Sequence, residues 1–446
     1  MTATLTKTRS RTRPTAVLAL ACAVPLLVFT NFSSTIVIMP RIAEGLHAGP
    51  VGQTWILNGV SLGLAAPMLA VGSLADLFGR RLMFIAGAAL LAATGFLAAV
   101  STTTGVFIAA RIAQGAAMAA LLTSSLALLA TAFPDGPGRR RATAAYGALT
   151  GAGVAVGVPI AFTLTEAFDW HSHFWTIGAL AAAMGIAAPF VFTESRDVRA
   201  RRFDLPGTVL LSVAIGLLMA GLIRLRLSLG DPTAFALIAA AAGFAAGFAA
   251  VERRRKEPMI DLSLFRSPPF TVSVAGALIV GATLASATNY MPTFWQFGFG
   301  LSMAHAGWLI AALSAVAVGT ALAAKRIRVS MSGLVVLVMV AAAGALLLLA
   351  TAVGEWNAAW TWTTALIAGS VYGLSNTALA QIAVGSVPPE RAGMGSGANN
   401  SARYLGMAAG IPLVSALHSA FGMAAALVVC AAVLSAGALW FTALRR

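Results

Sequence analysis

Apolar runs of about twenty residues, parted by short polar or basic stretches, recur from one end of the chain to the other. Each run is long enough to cross the hydrocarbon core of a bilayer. The backbone finds no outside hydrogen-bond partner there, so each crossing run must be a helix. The alternating pattern of a membrane β-barrel strand is absent. The runs predict fourteen spans, near 15–40, 52–75, 82–100, 105–132, 142–165, 174–192, 207–228, 233–251, 270–293, 304–323, 332–352, 358–381, 399–417 and 421–443. The expected fold is all-α and integral to a membrane. It has a six-helix half with a basic tail (1–192), an inserted helix pair with polar linkers (193–269), and a second six-helix half (270–446).

Composition sharpens this picture. Hydrophobic residues make up 59% of the chain and charged residues 10%, whereas a soluble domain carries about 25% charged. The net charge of +15 would point a soluble protein toward nucleic acid; here its placement matters more, and no nucleic-acid partner is expected. Of 29 lysines and arginines, all but Arg41, Arg111, Arg224 and Arg226 fall on one side of the predicted bundle. The positive-inside rule makes that side cytoplasmic and puts both termini there. Arginine and alanine greatly outnumber lysine, the habit of a GC-rich bacterial coding sequence, so a bacterial inner membrane is the expected location. Cys22 and Cys430 each fall inside a span and read as free core thiols.

The segment Gly72-Ser-Leu-Ala-Asp76-Leu-Phe-Gly79-Arg80-Arg81 follows the second span. Gly72 and Gly79 suit close helix approach and a tight turn. Asp76 suits the positive end of the next helix, and Arg80 and Arg81 suit the cytoplasmic surface. The stretch Gly319–Arg328 repeats the glycine and the basic end, without the aspartate, at the matching place in the later half. Gly72–Arg81 resembles the signature loop of the major facilitator superfamily, which acts as a conformational latch. Four further places extend the likeness to the fourteen-helix drug:proton antiporter family. They are Arg111-Ile-Ala-Gln114-Gly115, Phe203–Gly207, Glu257–Leu262, and Pro389–Gly393 before a glycine-rich thirteenth span.

Two departures qualify the resemblance. The family's helix-one aspartate, counted back from Pro40, falls on Asn31. The fifth span keeps Gly153, Gly157 and Pro159 but separates glycine from proline and loses the closing glycine pair. Pro159 still removes a backbone donor and is expected to kink the helix.

Ionisable groups at membrane depth are costly and therefore functional by default. Glu44, Glu166, Asp169, Asp231 and Glu355 fall near the outer ends and the other acids on the basic side. Glu166, Asp169, His171 and His173 form one candidate proton relay, with a solvated outer loop as the alternative. Arg111 lies about 10 Å inside the fourth span, with Gln114 on the same face. It suits an anionic substrate group or the coupling step, or else snorkels to the outer interface. Asn31, Asn58, Asn289, Tyr290, Tyr372 and Asn376 are candidates for a neutral, hydrogen-bonding substrate cavity; each alone also suits an interhelical hydrogen bond. Trp295, Trp356, Trp360 and Trp362 read as an outer aromatic belt. Gly406-x-x-x-Gly410 reads as a packing motif. No Walker lysine, HExxH or catalytic triad occurs, so no enzyme activity, cofactor or metal is expected.

The resemblance implies a monomer in the lipid bilayer that exports an amphipathic drug or natural product by alternating access, with protons as the coupling ion. The absent helix-one carboxylate keeps two alternatives open. One is a gradient-independent facilitator or importer of a polar metabolite, the other a transport-dead binding or sensing protein.

Overall fold

The structure, a computed structural model, describes residues 14–133, 136–195, 204–225, 227–255, 262–323, 331–387 and 392–443. The basic tail, most of the linkers at 196–203 and 256–261, the cluster Lys325 to Arg328, Arg391, and Arg445 with Arg446 lie outside these residues.

Every regular element described is a helix. The first half comprises α1 (Pro14–Val37), a short α2 (Met39–Gly45), α3 (Pro50–Phe78), α4 (Arg80–Ala99), α5 (Thr104–Ala132), α6 (Pro137–Ala167) and α7 (Trp170–Val191). The inserted pair is α8 (Leu205–Leu225) and α9 (Pro232–Arg254). The later half comprises α10 (Pro268–Val280) continuing through a π-turn into α11 (Ser286–Phe299), then α12 (Met303–Ala323) and α13 (Met331–Ala350). It ends with α14 (Ala358–Gly385), α15 (Ala392–Phe421) and α16 (Met423–Ala443). Among the described residues, twelve helices are long and apolar enough to cross a membrane, with α10 and α11 taken as one. The long helices α3 and α14 stand outside that twelve, in the places of the second and twelfth predicted spans.

Helix starts follow from local chemistry. Thr103, Asp169, Asp231 and Asn357 cap α5, α7, α9 and α14, each accepting a bond from a first-turn backbone N–H. The first predicted span does not run to Pro40. Helix α1 stops at Val37 and a new helix begins at Met39, with Pro40 in its first turn, where the missing N–H costs nothing.

Each half has its own apolar core. One is built from α1 and α3–α8 and reaches across to Ala285, Ile310, Leu313 and Tyr404; the other lies within the later half. Trp295, expected in an outer aromatic belt, is 1% exposed in this second core. The cause is that α11 continues to Phe299 and is closed by Gly300 in the left-handed conformation, which carries Trp295 inward.

The halves meet along two seams, α6 against α12 and α3 against α15. At the end away from the basic clusters, Phe162 packs on Trp308 with ring centroids 6.1 Å apart, and against the α-carbon of Gly307. Contact continues to Gly151 and Val318. One turn nearer the basic end, Gly147 faces open space, and so does Gly319 on α12. This seam is closed at the end away from the basic clusters.

Helix α8 packs on both α3 and α15, so the inserted pair bridges the second seam. Arg224 and Asp231 pair at 2.9 Å across the turn joining α8 and α9. The Thr233 hydroxyl first, and Arg224 second, hold the Asp231 carboxyl below the usual carboxylate range. At the basic end Asp204, 1% exposed, accepts from Gly207 N at 2.9 Å and Arg255 Nη2 at 3.0 Å.

Candidate functional site

Three predicted residues meet at one place inside the first half. Glycines at the α3–α5 crossing bring the backbones into contact. A β-carbon on Gly63 would lie 2.8 Å from Ile112 C, and one on Gly115 would lie 2.7 Å from Gly63 C. This crossing fixes the register of α5, so Arg111 and Gln114, three residues apart, point together toward α1 and α4. Arg111 Nη1 donates to Asn31 Oδ1 at 3.0 Å and to Gln114 Oε1 at 2.7 Å. Asn31 Nδ2 donates to Gln114 Oε1 at 3.2 Å, and Gln114 Nε2 donates to Thr94 O at 3.2 Å. All three side chains are buried, so Arg111 does not snorkel. Its guanidinium lies 5.9 Å from the Phe174 ring centroid, and buried His173 is an electrostatic neighbour.

No carboxylate among the described residues pairs with Arg111. Every carboxylate whose side chain is described (Glu44, Glu166, Asp169, Glu194, Asp204, Asp231, Glu252, Glu355) lies at a helix end or in a connection. The guanidinium charge is met only by amide oxygens, an arrangement whose desolvation cost an added negative charge would offset.

The four relay residues do not converge. His171 Nδ1 lies 3.1 Å from Asp169 Oδ2 at the start of α7, while Asp169 caps that helix through Ser172 N at 3.0 Å. Glu166 is exposed at the end of α6, and His173 alone turns inward toward Arg111.

The glycine face of α6 packs on α1. Thr30 Oγ1 donates to Gly153 O at 2.8 Å and Ser34 Oγ to Gly157 O at 3.3 Å, with Pro159 two residues beyond in the same unbroken helix. Asn58 is buried and donates to Thr54 O at 2.8 Å. In the later half, half-buried Asn289 donates to Ala285 O at 2.7 Å, and buried Tyr290 receives the Ser415 hydroxyl at 3.5 Å. Tyr372 and Asn376 are half-buried, one turn apart on α14. Gly406 and Gly410 lie against the π-turn Gly281–Ala285, which is a packing role.

The predicted latch is tighter than a loop. Gly72 and Asp76 belong to the last turns of α3, and Gly79 alone separates α3 from α4, at φ 110°, a conformation that favours glycine. The carboxylate at the start of α4 is Glu194, from the end of α7. Its Oε1 accepts from Arg81 N at 3.0 Å and Ser195 N at 3.1 Å, while Arg80 N donates to Ser195 O at 3.1 Å. Sequence reasoning missed Glu194, which stands 113 residues from Arg81. Its only signal was a lone acid following the apolar run of α7.

Comparison with known proteins agrees with this architecture. The family model for the Major Facilitator Superfamily matches residues 21–411. The chain is similar to the "Multidrug resistance protein Stp" of Mycobacterium tuberculosis, 28% identical over 397 residues, covering 89% of this chain and 74% of that protein. It is also similar to the "Cephamycin export protein CmcT" of Amycolatopsis lactamdurans, 29% identical over 436 residues, covering 92% and 86%. The crystal structure of the human organic anion transporter MFSD10 (TETRAN) shares the fold. Its TM-score is 0.66 at 16% identity, over 96% of this chain and 99% of that one.

Proposed function

The chain belongs to the major facilitator superfamily, and from that premise we propose that it exports an amphipathic drug or natural product by alternating access, with protons as the coupling ion. A member of this family is a transporter rather than an enzyme. The observation that carries export is the pair of relatives named for resistance and export, each matching about nine-tenths of the chain. Alternating access draws support from the two helical halves meeting along the α6–α12 and α3–α15 seams, the build a rocking mechanism uses. The basic clusters favour a bacterial inner membrane with both termini cytoplasmic. The protein acts as a monomer, with fourteen spans in the units 1–192, 193–269 and 270–446.

A second reading, gradient-independent facilitation, is favoured by one observation: Arg111 has neutral partners where coupling calls for an acid. Flux of an amphipathic dye through purified protein in vesicles, with and without an imposed pH gradient, separates the two. Antiport predicts dye accumulation that collapses when the gradient is removed. Equal flux in both conditions establishes the facilitator, and absence of flux for any dye that binds rejects transport altogether.

The latch reading predicts a smaller effect. Glu194→Gln weakens the acceptor for Arg81 N and Ser195 N and removes the charge facing Arg81, whose Nε lies 3.8 Å from Oε2. Turnover should fall a fewfold while dye affinity stays at the wild-type value. Unchanged turnover would remove Glu194 from the latch.

A further inference from the structure

A second arginine lies at membrane depth, and the transport reading above does not use it. Arg403 is eleven residues into α15, about 16 Å along its axis. Counted only by its sign, it joins the basic side of the bundle. In the fold it is half-buried. Its Nη2 donates to Asn400 Oδ1 at 2.9 Å, and its guanidinium lies 5.2 Å from the Tyr404 ring centroid. Tyr372, on α14, is an electrostatic neighbour of Arg403, and Tyr146, on α6 of the other half, is one of Tyr404. Tyr404 belongs to the core that crosses the seam, with Tyr146 and Tyr372 packed against it. The main chain at Arg403 presses on Gly281, the first residue of the π-turn, so this layer is held where the helix is irregular.

No described carboxylate pairs with Arg403, and none whose side chain is described lies at its depth. Its fixed partners are an amide oxygen and aromatic rings. Part of the guanidinium fork remains for a planar anion, which it can hold through two parallel bonds. Tyr372 on α14 supplies a neutral polar group, and the Tyr404 and Tyr372 rings supply apolar contact.

We propose that Arg403 recognises an anionic group on the cargo, so that the exported compounds are amphipathic anions, carboxylates foremost. This rests on the export reading and specifies its cargo. A guanidinium with no carboxylate partner among the described residues, in a low-dielectric interior, attracts an anion and repels a second cation.

Two xanthene dyes of similar shape and opposite charge test it, carboxyfluorescein and rhodamine 123, with the full-length protein in vesicles and in detergent. The expected result is binding and transport of carboxyfluorescein in clear preference to rhodamine 123. Arg403→Gln should weaken carboxyfluorescein binding by about tenfold or more, the size of one charge-assisted hydrogen bond. Arg403→Lys keeps the charge and should retain the preference for the anion with severalfold weaker binding; it decides the matter if Arg403→Gln does not fold. Transport of rhodamine 123 at an equal or higher rate overturns the proposal while leaving export intact. Carboxyfluorescein binding unaffected by a folded Arg403→Gln, or anion preference lost in Arg403→Lys, overturns it as well. If neither dye nor a neutral amphiphile moves, the export reading fails and this inference fails with it.

Discussion

Gly63→Leu is expected to yield no folded, monodisperse protein in detergent, whereas Gly344→Leu should behave as wild type. Both replace a mid-helix glycine by a better helix former, so intrinsic propensity favours both changes. What differs is what the new side chain meets. At Gly63 the first added carbon alone would lie 2.8 Å from Ile112 C and 3.1 Å from Gly115 Cα, which are backbone atoms of α5 with no rotamer to change. The helices must separate, and overpacking of this kind costs about 3 kcal/mol or more. At Gly344 on α13 nothing lies within 4 Å of the added carbon. Separation at Gly63 would also misplace Arg111, whose Cβ packs against Gly59 one turn away on α3. The displacement of α5 would strain the bond from the buried guanidinium to Asn31 on α1. Size-exclusion profiles and thermal unfolding of the two variants in parallel check the expectation. Equal behaviour of the pair would show that the crossing tolerates expansion, and the packing argument for α3 and α5 would fall.

The same crossing shows how far the sequence could be read. Apolar runs located the helices well because lipid leaves a run of that length no other backbone state. Arg111 and Gln114 were legible as a pair, since three residues of helix put them on one face. Their meeting with Asn31 was not. It depends on how α1 lies against α5, and no local spacing encodes a contact 80 residues apart. Glu194 was missed for the same reason; the side chain of Asp76 lies outside the described residues. Arg403 was misread differently. Its charge was counted toward topology, but its depth follows from α15 starting at Ala392, seven residues before the hydropathy run at 399. Helices in the halves outrun their apolar cores at the basic end, so hydropathy alone places such a residue too near the surface. The π-turn at Gly281 had no periodic signal, because one extra residue per turn is invisible within an apolar stretch.

Asn31→Asp is expected to add to transport a pH dependence that arises at the Arg111 cluster, with a sign fixed by the geometry. Asn31 accepts from Arg111 Nη1 at 3.0 Å and donates to Gln114 Oε1 at 3.2 Å. A protonated aspartic acid reproduces both roles, with its carbonyl oxygen accepting and its hydroxyl donating. The ionised form cannot donate to Gln114, and it pairs with a buried guanidinium that otherwise has only amide partners. A buried pair of opposite charges is costly to break by removing one partner, at about 3–5 kcal/mol, so it would clamp α1 to α5. Flux should therefore approach the wild-type rate in acid, where the carboxyl is protonated, and fall severalfold or more as pH rises and the clamp forms. The measurement is dye flux in vesicles with the same pH on both faces, so that driving force is constant and only protonation changes. Asn31→Ala separates loss of the amide from gain of the acid: it should slow transport equally at every pH. A flat ratio of Asn31→Asp to wild type across pH would mean that the Arg111 cluster does not move in the transport cycle. If the ratio instead falls with rising pH, one carboxylate beside Arg111 is enough to make the cycle titratable, and the native amide at residue 31 keeps this step independent of protons.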